Sequence, residues 1–417
     1  MDLAQLKQKL RQDIAMSFSL SDTMTAEMVK ERGRHFIKKL DREARRLLES
    51  ENQDALLDSL CHDLLGFGPL QSLLADPDIT EIMVNGPNEI FVEKGGCKTP
   101  TLITFNSEAH LRTTVEKMME GTGRRLDESV PYADFALPDG SRVNVITPPL
   151  AVGGAMVTIR KFLDTITNVD HLVGFGTLDA RMAQFLVAAV RAKKNLLFSG
   201  ATGCGKTTTL GALSTYLDEG ERIVVIEDTI ELELNQRHTV RLLTRPPNIE
   251  GKGEVTLRDL LRNSLRMRPS RIILGEIRGA EAMDYLQALN SGHRGCLAVM
   301  HAATPRDTVS RLETLALFAG LNLPVFAIRQ QIASGLDIIV QQEQLHDGSR
   351  KVSHITEVRG TEGDQVVLQD LFRYEIERTD ETGKVHGSFR AVSKPLDLDE
   401  YRRKGIPVED AWFEEPA

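Results

Sequence analysis

Residues 195–210 read NLLFSGATGCGKTTTL. A short apolar run, Leu196, Leu197 and Phe198, feeds a glycine-rich turn, which gives way at once to a lysine, three threonines and helix formers. Gly200, Gly205, Lys206 and Thr207 fit G-x-x-x-x-G-K-[ST]. Glycines let a backbone close around a phosphate with its N–H groups turned inward. Gly200, Ala201, Thr202, Gly203, Cys204, Gly205 and Thr208 are therefore candidate nucleotide contacts. Lys206 adds a mobile positive charge for the β- and γ-phosphates. The Thr207 hydroxyl is placed for Mg²⁺, and the helix that begins there aims its positive end at the same anion. An apolar strand in front and a helix behind distinguish such a loop from an idle glycine turn. The expectation is a nucleoside triphosphate site.

Outward from the loop, strand and helix alternate. Asp179 to Lys193 reads as a helix, and Ile223 to Ile226 is an uninterrupted β-branched run, the mark of a strand buried on both faces. A helix over Thr256 to Met267, a strand at Ile272 to Leu274, a helix over Ala280 to Asn290 and a strand at Cys296 to Met300 follow. This predicts an α/β fold, a parallel sheet with helices on both faces, over 178–375. Upstream the texture differs. Residues 1–63 carry helical stripes (Leu3, Leu6, Leu10; Met28 to Leu48; Leu56 to Leu65) and predict a small bundle. Residues 64–161 open on GFGPL and read as a small α+β domain, with strands at Ile79 to Val84, Glu89 to Glu93 and Thr101 to Phe105. Residues 162–177 are the expected linker, and 376–417 read as a polar, weakly patterned tail.

Bulk properties narrow the partners. The 417 residues suffice for two or three domains. Fifty-one basic against 60 acidic residues leave a net charge of −9, which argues against a nucleic-acid coat. Cys61, Cys97, Cys204 and Cys296 lie too far apart for a zinc site or a disulfide framework. No apolar run approaches the ~20 residues of a membrane span. The N-terminus lacks a signal-like apolar core. The reading is a cytoplasmic protein with no direct span.

Ligands of parallel-sheet folds meet the carboxyl ends of strands. The strand ending at Ile226 delivers Glu227, Asp228 and then Glu231; the one ending at Leu274 delivers Glu276; the one ending at Met300 delivers His301. Glu276 stands where a hydrolytic NTPase needs a carboxylate to orient or deprotonate water.

These stretches resemble the secretion ATPases of type II and type IV systems, and most closely the CpaF-like ATPases of tight-adherence (Tad) pilus assembly. The resemblance runs through GFGPLQSLLADPDITEIMVNGPNEIFVE, LPDGSRVNVITPPL, VTIRKF, GATGCGKTTTL, IEDTIEL, LRMRPSRIILGEIRG, GHRGCLAVMHA and RLETLALFAGLNLP. It implies a RecA-like ATP-binding domain, with GATGCGKT as Walker A loop, IEDTIEL as Asp box, IILGEIR as Walker B segment and Gly292 to His301 as His box. Glu276 is then the Walker B carboxylate and a water-mediated Mg²⁺ contact, with Glu227, Asp228 and Glu231 near Mg²⁺ and the attacking water. Either Glu231 or Glu276 serves as base. His293 and His301 are implied to sense the γ-phosphate or to bridge to the next subunit. Cys296, Val299, Ala303 and Ser270 depart from the Ser, Thr, Asn and Asp that the family usually carries there. Gly275 stands where many NTPases have a metal-binding Asp.

The resemblance also carries Arg142 and Arg160 to the nucleotide as trans or interdomain arginines, since transferred phosphoryl groups need positive charge. Arg124 and Arg125 are weaker candidates. Arg258, Arg262 and Arg266 recur every four residues on one helix face and read as a solvated or subunit-facing stripe. By resemblance the protein is a homo-oligomer, a hexamer, at the inner face of a bacterial inner membrane. It would act on platform proteins of a pilus or secretion system, with 162–177 as hinge. The alternative is a nucleic-acid translocating ATPase of conjugation type. A small-molecule kinase would need a lid segment that is not evident, and a nucleotide-gated adaptor would have little use for Lys206, Thr207 and Glu276 together.

Overall fold

A computed structural model describes residues 3–18, 24–48, 52–161, 168–232, 234, 236–245, 247–248 and 251–414. It divides into two compact units, Met1–Leu163 and Asp164–Ala417.

The first unit begins with α1 (Leu3–Met16), α2 (Ala26–Lys39), α3 (Arg42–Leu48) and α4 (Gln53–Leu65). Leu6, Leu10, Ile14, Val29, Leu56 and Leu60 form their shared core. The stripe expected to run from Met28 to Leu48 is broken, because the Asp41 carboxylate accepts from the Ala44 N–H at 2.8 Å and starts a new helix. Next come α5 (Leu70–Ala75), β1 (Ile79–Asn85), β2 (Ile90–Lys94), β3 (Cys97–Pro100), α6 (Glu108–Met119), β4 (Tyr132–Ala136), β5 (Arg142–Ile146) and β6 (Met156–Arg160). They build an antiparallel sheet of order β3-β2-β1-β6-β5-β4, backed by the buried Leu111, Val115 and Met118 of α6. The strand expected at Thr101 to Phe105 is instead Cys97–Pro100. Gly95 and Gly96, both at positive φ, close a two-residue hairpin and fix that register.

The second unit starts with α7 (Val169–Gly174) and α8 (Ala180–Arg191), capped by Asp179. Val169 and Leu172 lie in this unit's core, so 168–177 is not a free linker; 162–167 fall outside the described residues. β7 (Leu196–Gly200), α9 (Lys206–Ser214), β8 (Ile223–Glu227), β9 (Thr239–Leu243), α10 (Leu257–Ser264), β10 (Arg271–Ile277), α11 (Glu281–Asn290) and β11 (Leu297–Met300) follow. Then come α12 (Pro305–Leu317), α13 (Val325–Gly335), β12 (Ile338–Gln344), β13 (Arg350–Glu362), β14 (Gln365–Thr379), β15 (Val385–Ala391) and α14 (Leu398–Arg403). The sheet order is β15-β14-β13-β12-β7-β11-β10-β8-β9. From β12 to β9 every pairing is parallel; β13 to β15 add an antiparallel meander. β7, β8 and β11 are buried along their whole length. This is the expected RecA-like α/β fold. The segment expected as a weakly patterned tail is built in: it completes β14, adds β15, and seats Tyr401 and Phe413 against Phe185 of α8, at ring separations of 6.2 and 5.4 Å.

Candidate functional site

The phosphate loop is shaped by what stands behind it. Gly200, Gly203 and Gly205 all take positive φ. A Cβ on Gly200 would lie 2.1 Å from the Gln342 carbonyl oxygen of β12, so only glycine lets the loop leave β7 here. The Thr209 hydroxyl donates to Gln342 Oε1 at 2.8 Å, and Arg350 Nε of β13 donates to the Gly203 carbonyl at 2.8 Å. Gln342 and Arg350 thus hold the loop from the neighbouring strands. The polar pair Gln341-Gln342 after three β-branched residues was a readable signal; nothing in the sequence marked Arg350.

Lys206 is 5% exposed, and its ammonium donates to the carbonyls of Gly200 (3.0 Å) and Ala201 (2.6 Å). It also lies 3.4 Å from His301 Nδ1. His301 Nε2 stands 3.4 Å from Glu276 Oε1. Burial, then the Lys206 charge, lowers the imidazole pKa against the pull of Glu276. A neutral ring with its proton on Nε2 satisfies both neighbours, accepting from Lys206 and donating to Glu276. Glu276 Oε2 is 3.5 Å from Arg278 Nη2, which also pairs with Asp228. Asp228 in turn accepts from the Thr244 hydroxyl at 2.8 Å. The Thr207 hydroxyl donates to Glu231 Oε2 at 3.2 Å. Lys206, Thr207, Asp228, Glu231, Glu276 and His301 therefore come together at the carboxyl ends of β7, β8, β10 and β11. Arg278 and Thr244 join them; neither had been singled out from sequence.

Other residues singled out from sequence are not among these contacts. His293 precedes β11 and faces the other end of the sheet, about 13 Å along the strand from His301. Its Nδ1 is 3.2 Å from the Ser291 hydroxyl. The four residues of β11 separate the two histidines, so they do not share a site within this unit. Arg142 and Arg160 lie in the first unit, directly opposite each other on β5 and β6, with Arg160 Nε 3.7 Å from Glu81 Oε1. Arg262 and Arg266 are exposed, as a solvated stripe requires, but Arg258 and Arg262 also have a partner inside the unit. Both clamp the buried Asp284 of α11, at 2.7 and 2.6 Å, which fixes α10 to α11.

Glu227 was expected beside Mg²⁺, yet it is 2% exposed and turned onto the backbone. Its Oε1 accepts from the N–H groups of Glu231 (2.9 Å) and Leu232 (3.0 Å). Burial pushes its pKa up to about 7, against those two donors.

Donors for a metal are hard oxygens only: the Thr207 hydroxyl and the Glu231 and Glu276 carboxylates. Among the described residues no cluster of three or more His, Cys, Asp or Glu could cage an ion. That donor set fits Mg²⁺, which keeps waters and phosphate oxygens as ligands.

The chain matches the family described as "Type II/IV secretion system protein" over residues 63–371. It is 32% identical over 335 residues to a putative conjugal transfer protein of Mycobacterium tuberculosis, covering 79% of this chain and 94% of that one. It is 31% identical over 318 residues to the type IV secretion system protein VirB11 of Brucella suis, covering 70% and 88%. Among solved structures, the pilus retraction motor PilT with bound ADP superposes at a TM-score of 0.50 and 18% identity, covering 80% of this chain and 85% of that one. The last likeness speaks to the fold alone. The chain belongs to the type II/IV secretion system protein family, and it is an ATPase.

Proposed function

We propose that this ATPase is a Mg²⁺-dependent hexameric motor that powers assembly or secretion in a Tad or type IV-like pilus system. It would work from the cytoplasmic face of a bacterial inner membrane, against platform proteins there. Among the described residues no helix is long and apolar enough to cross a membrane. The reading rests above all on the contact chain from Lys206 through His301 and Glu276 to Arg278 and Asp228, with Glu231 on Thr207 beside it. It places a cation, a neutral imidazole and carboxylates around one phosphate loop.

In this reading the loop N–H groups and Lys206 bind the β- and γ-phosphates, and Lys206 exchanges the Gly200 and Ala201 carbonyls for phosphate oxygens. Thr207, and Glu276 through water, would hold Mg²⁺, which neutralises charge on the triphosphate when bound. Glu276 or Glu231 orients the attacking water and takes its proton. His301 holds Glu276 in place and registers loss of the γ-phosphate through Lys206. Arg142 and Arg160 supply positive charge to the transferred phosphoryl group. The test is Glu276→Gln in the full chain: ATP should remain bound with hydrolysis lost. An unchanged rate removes Glu276 from the chemistry.

A second reading, a nucleic-acid translocating motor, draws support from the name of the mycobacterial relative. The net charge of −9 opposes it. ATP turnover stimulated by DNA, with salt-sensitive DNA binding, would favour this second reading.

A further inference from the structure

β8 stands three places from β7 in the sheet, about 14 Å at ordinary strand spacing. The segment after β8 must therefore be turned back toward α9 before Glu231 can meet Thr207. What turns it is Glu227. Its Oε1 gathers the N–H groups of residues 231 and 232, four and five positions on, and closes the chain into a tight loop. Its Oε2 is buried without a hydrogen-bond donor among the described residues, 3.7 Å from Arg241 Nη1. The side chain's stem has equally little freedom. A Cβ on Gly275 of the adjacent β10 would lie 2.9 Å from Glu227 Cγ and 3.4 Å from its Cβ. Glu227 fills the space that any side chain at 275 would occupy, next to Glu276. The absence of an Asp at 275 thus has a steric cause.

From these contacts we infer that Glu227 and Gly275 form a matched pair that positions the site: Glu227 aims Glu231 at Thr207, and Gly275 leaves it the room to do so. The Glu227 side chain is buried against backbone, with Oε1 taken by the N–H groups of Glu231 and Leu232. Glu227 is a positioning residue that acts through Glu231, and the inference rests on the ATPase reading above. A misplacement of about 1 Å in such a group can cost about 100-fold in rate.

The experiment is a double-mutant cycle on the full-length protein, with ATP turnover, ATP affinity and melting temperature measured for each variant. Glu227→Ala should lower kcat by about tenfold or more with the affinity for ATP within about threefold of wild type. Glu227→Gln keeps an oxygen that accepts from both N–H groups, and should restore most of that rate. Gly275→Ala should lower kcat in the wild-type background, and cost little more once Glu227 is already Ala, because the clash has gone. A silent Gly275→Ala, additive effects in the double variant, or equal losses with Gln and Ala would each overturn the pairing. So would losses that follow the melting temperature alone, which is the signature of a merely structural cap. Wild-type turnover and its loss in Glu276→Gln, measured alongside, separate failure of this inference from failure of the ATPase reading.

Discussion

Glu227 makes the folded protein's stability depend on pH in a direction opposite to that of most carboxylates. Its pKa rises from an ordinary 4.5 to about 7, chiefly because burial disfavours the charged form. Between these values the folded chain keeps a proton that the unfolded chain has released. Stability therefore falls as pH rises from 4.5 to about 7, and the full cost is present above that. At 1.36 kcal/mol per pH unit the cost is about 3 kcal/mol. Glu227→Gln keeps the shape and the acceptor oxygen but cannot ionise. In nucleotide-free and metal-free protein it should raise the melting temperature at pH 8. At about 2 °C per kcal/mol for a unit of this size the gain is roughly 6 °C. At pH 5.5 less than half of it should remain. Calorimetric scans of both proteins at the two pH values decide the matter. An equal gain at both, or a loss at pH 8, would refute a desolvated carboxylate and mean that Arg241 pairs with it firmly.

Other consequences are simpler to read. Lys206→Ala should reduce turnover by about 100-fold or more, because it removes the charge that the loop holds for the phosphates; a binding and hydrolysis assay checks it. Arg142→Ala and Arg160→Ala should each lower kcat more than ATP affinity, and normal turnover in both would withdraw the arginine assignment. Native alkylation followed by mass analysis should modify Cys97 alone, since Cys61, Cys204 and Cys296 are buried. Burial pushes the Cys296 thiol up to about 12, so rapid labelling there would contradict the packing of β11.

The parallel sheet was legible because its central strands are short apolar runs ended by a glycine, an acid or a histidine, and because the phosphate loop fixes one of them in space. Glu231, Glu276 and His301 could be found from strand ends alone. The meander was harder. β14 and β15 face water on one side and carry Glu375, Arg378 and Arg390, so their polarity reads as a tail until Phe372 and Phe413 are seen meeting at 5.3 Å. His293 shows the opposite failure. It lies close to His301 in sequence, but a strand between two residues carries them to opposite ends of the sheet's strands. The arginine pattern of α10 was half legible: Arg262 and Arg266 are exposed as the stripe implied, but four-residue spacing does not say what a face meets, and Asp284 lies on another helix.

What no linear reading supplies is the order of the strands. In sequence the acids of β8 follow the phosphate loop directly; in the sheet β11 and β10 stand between β7 and β8. The contacts Lys206 to His301 to Glu276 to Arg278 and Asp228 step across β7, β11, β10 and β8 in that spatial order. Each strand end passes its side chain to the next, so the charge state beside the phosphate loop is shared by four strands. Glu231 is the exception, because it returns from β8 to α9 without using the intervening ends. A group that reaches so far back needs its own anchor, and the carboxylate of Glu227, its stem packed against the bare backbone of Gly275, is where the fold provides one.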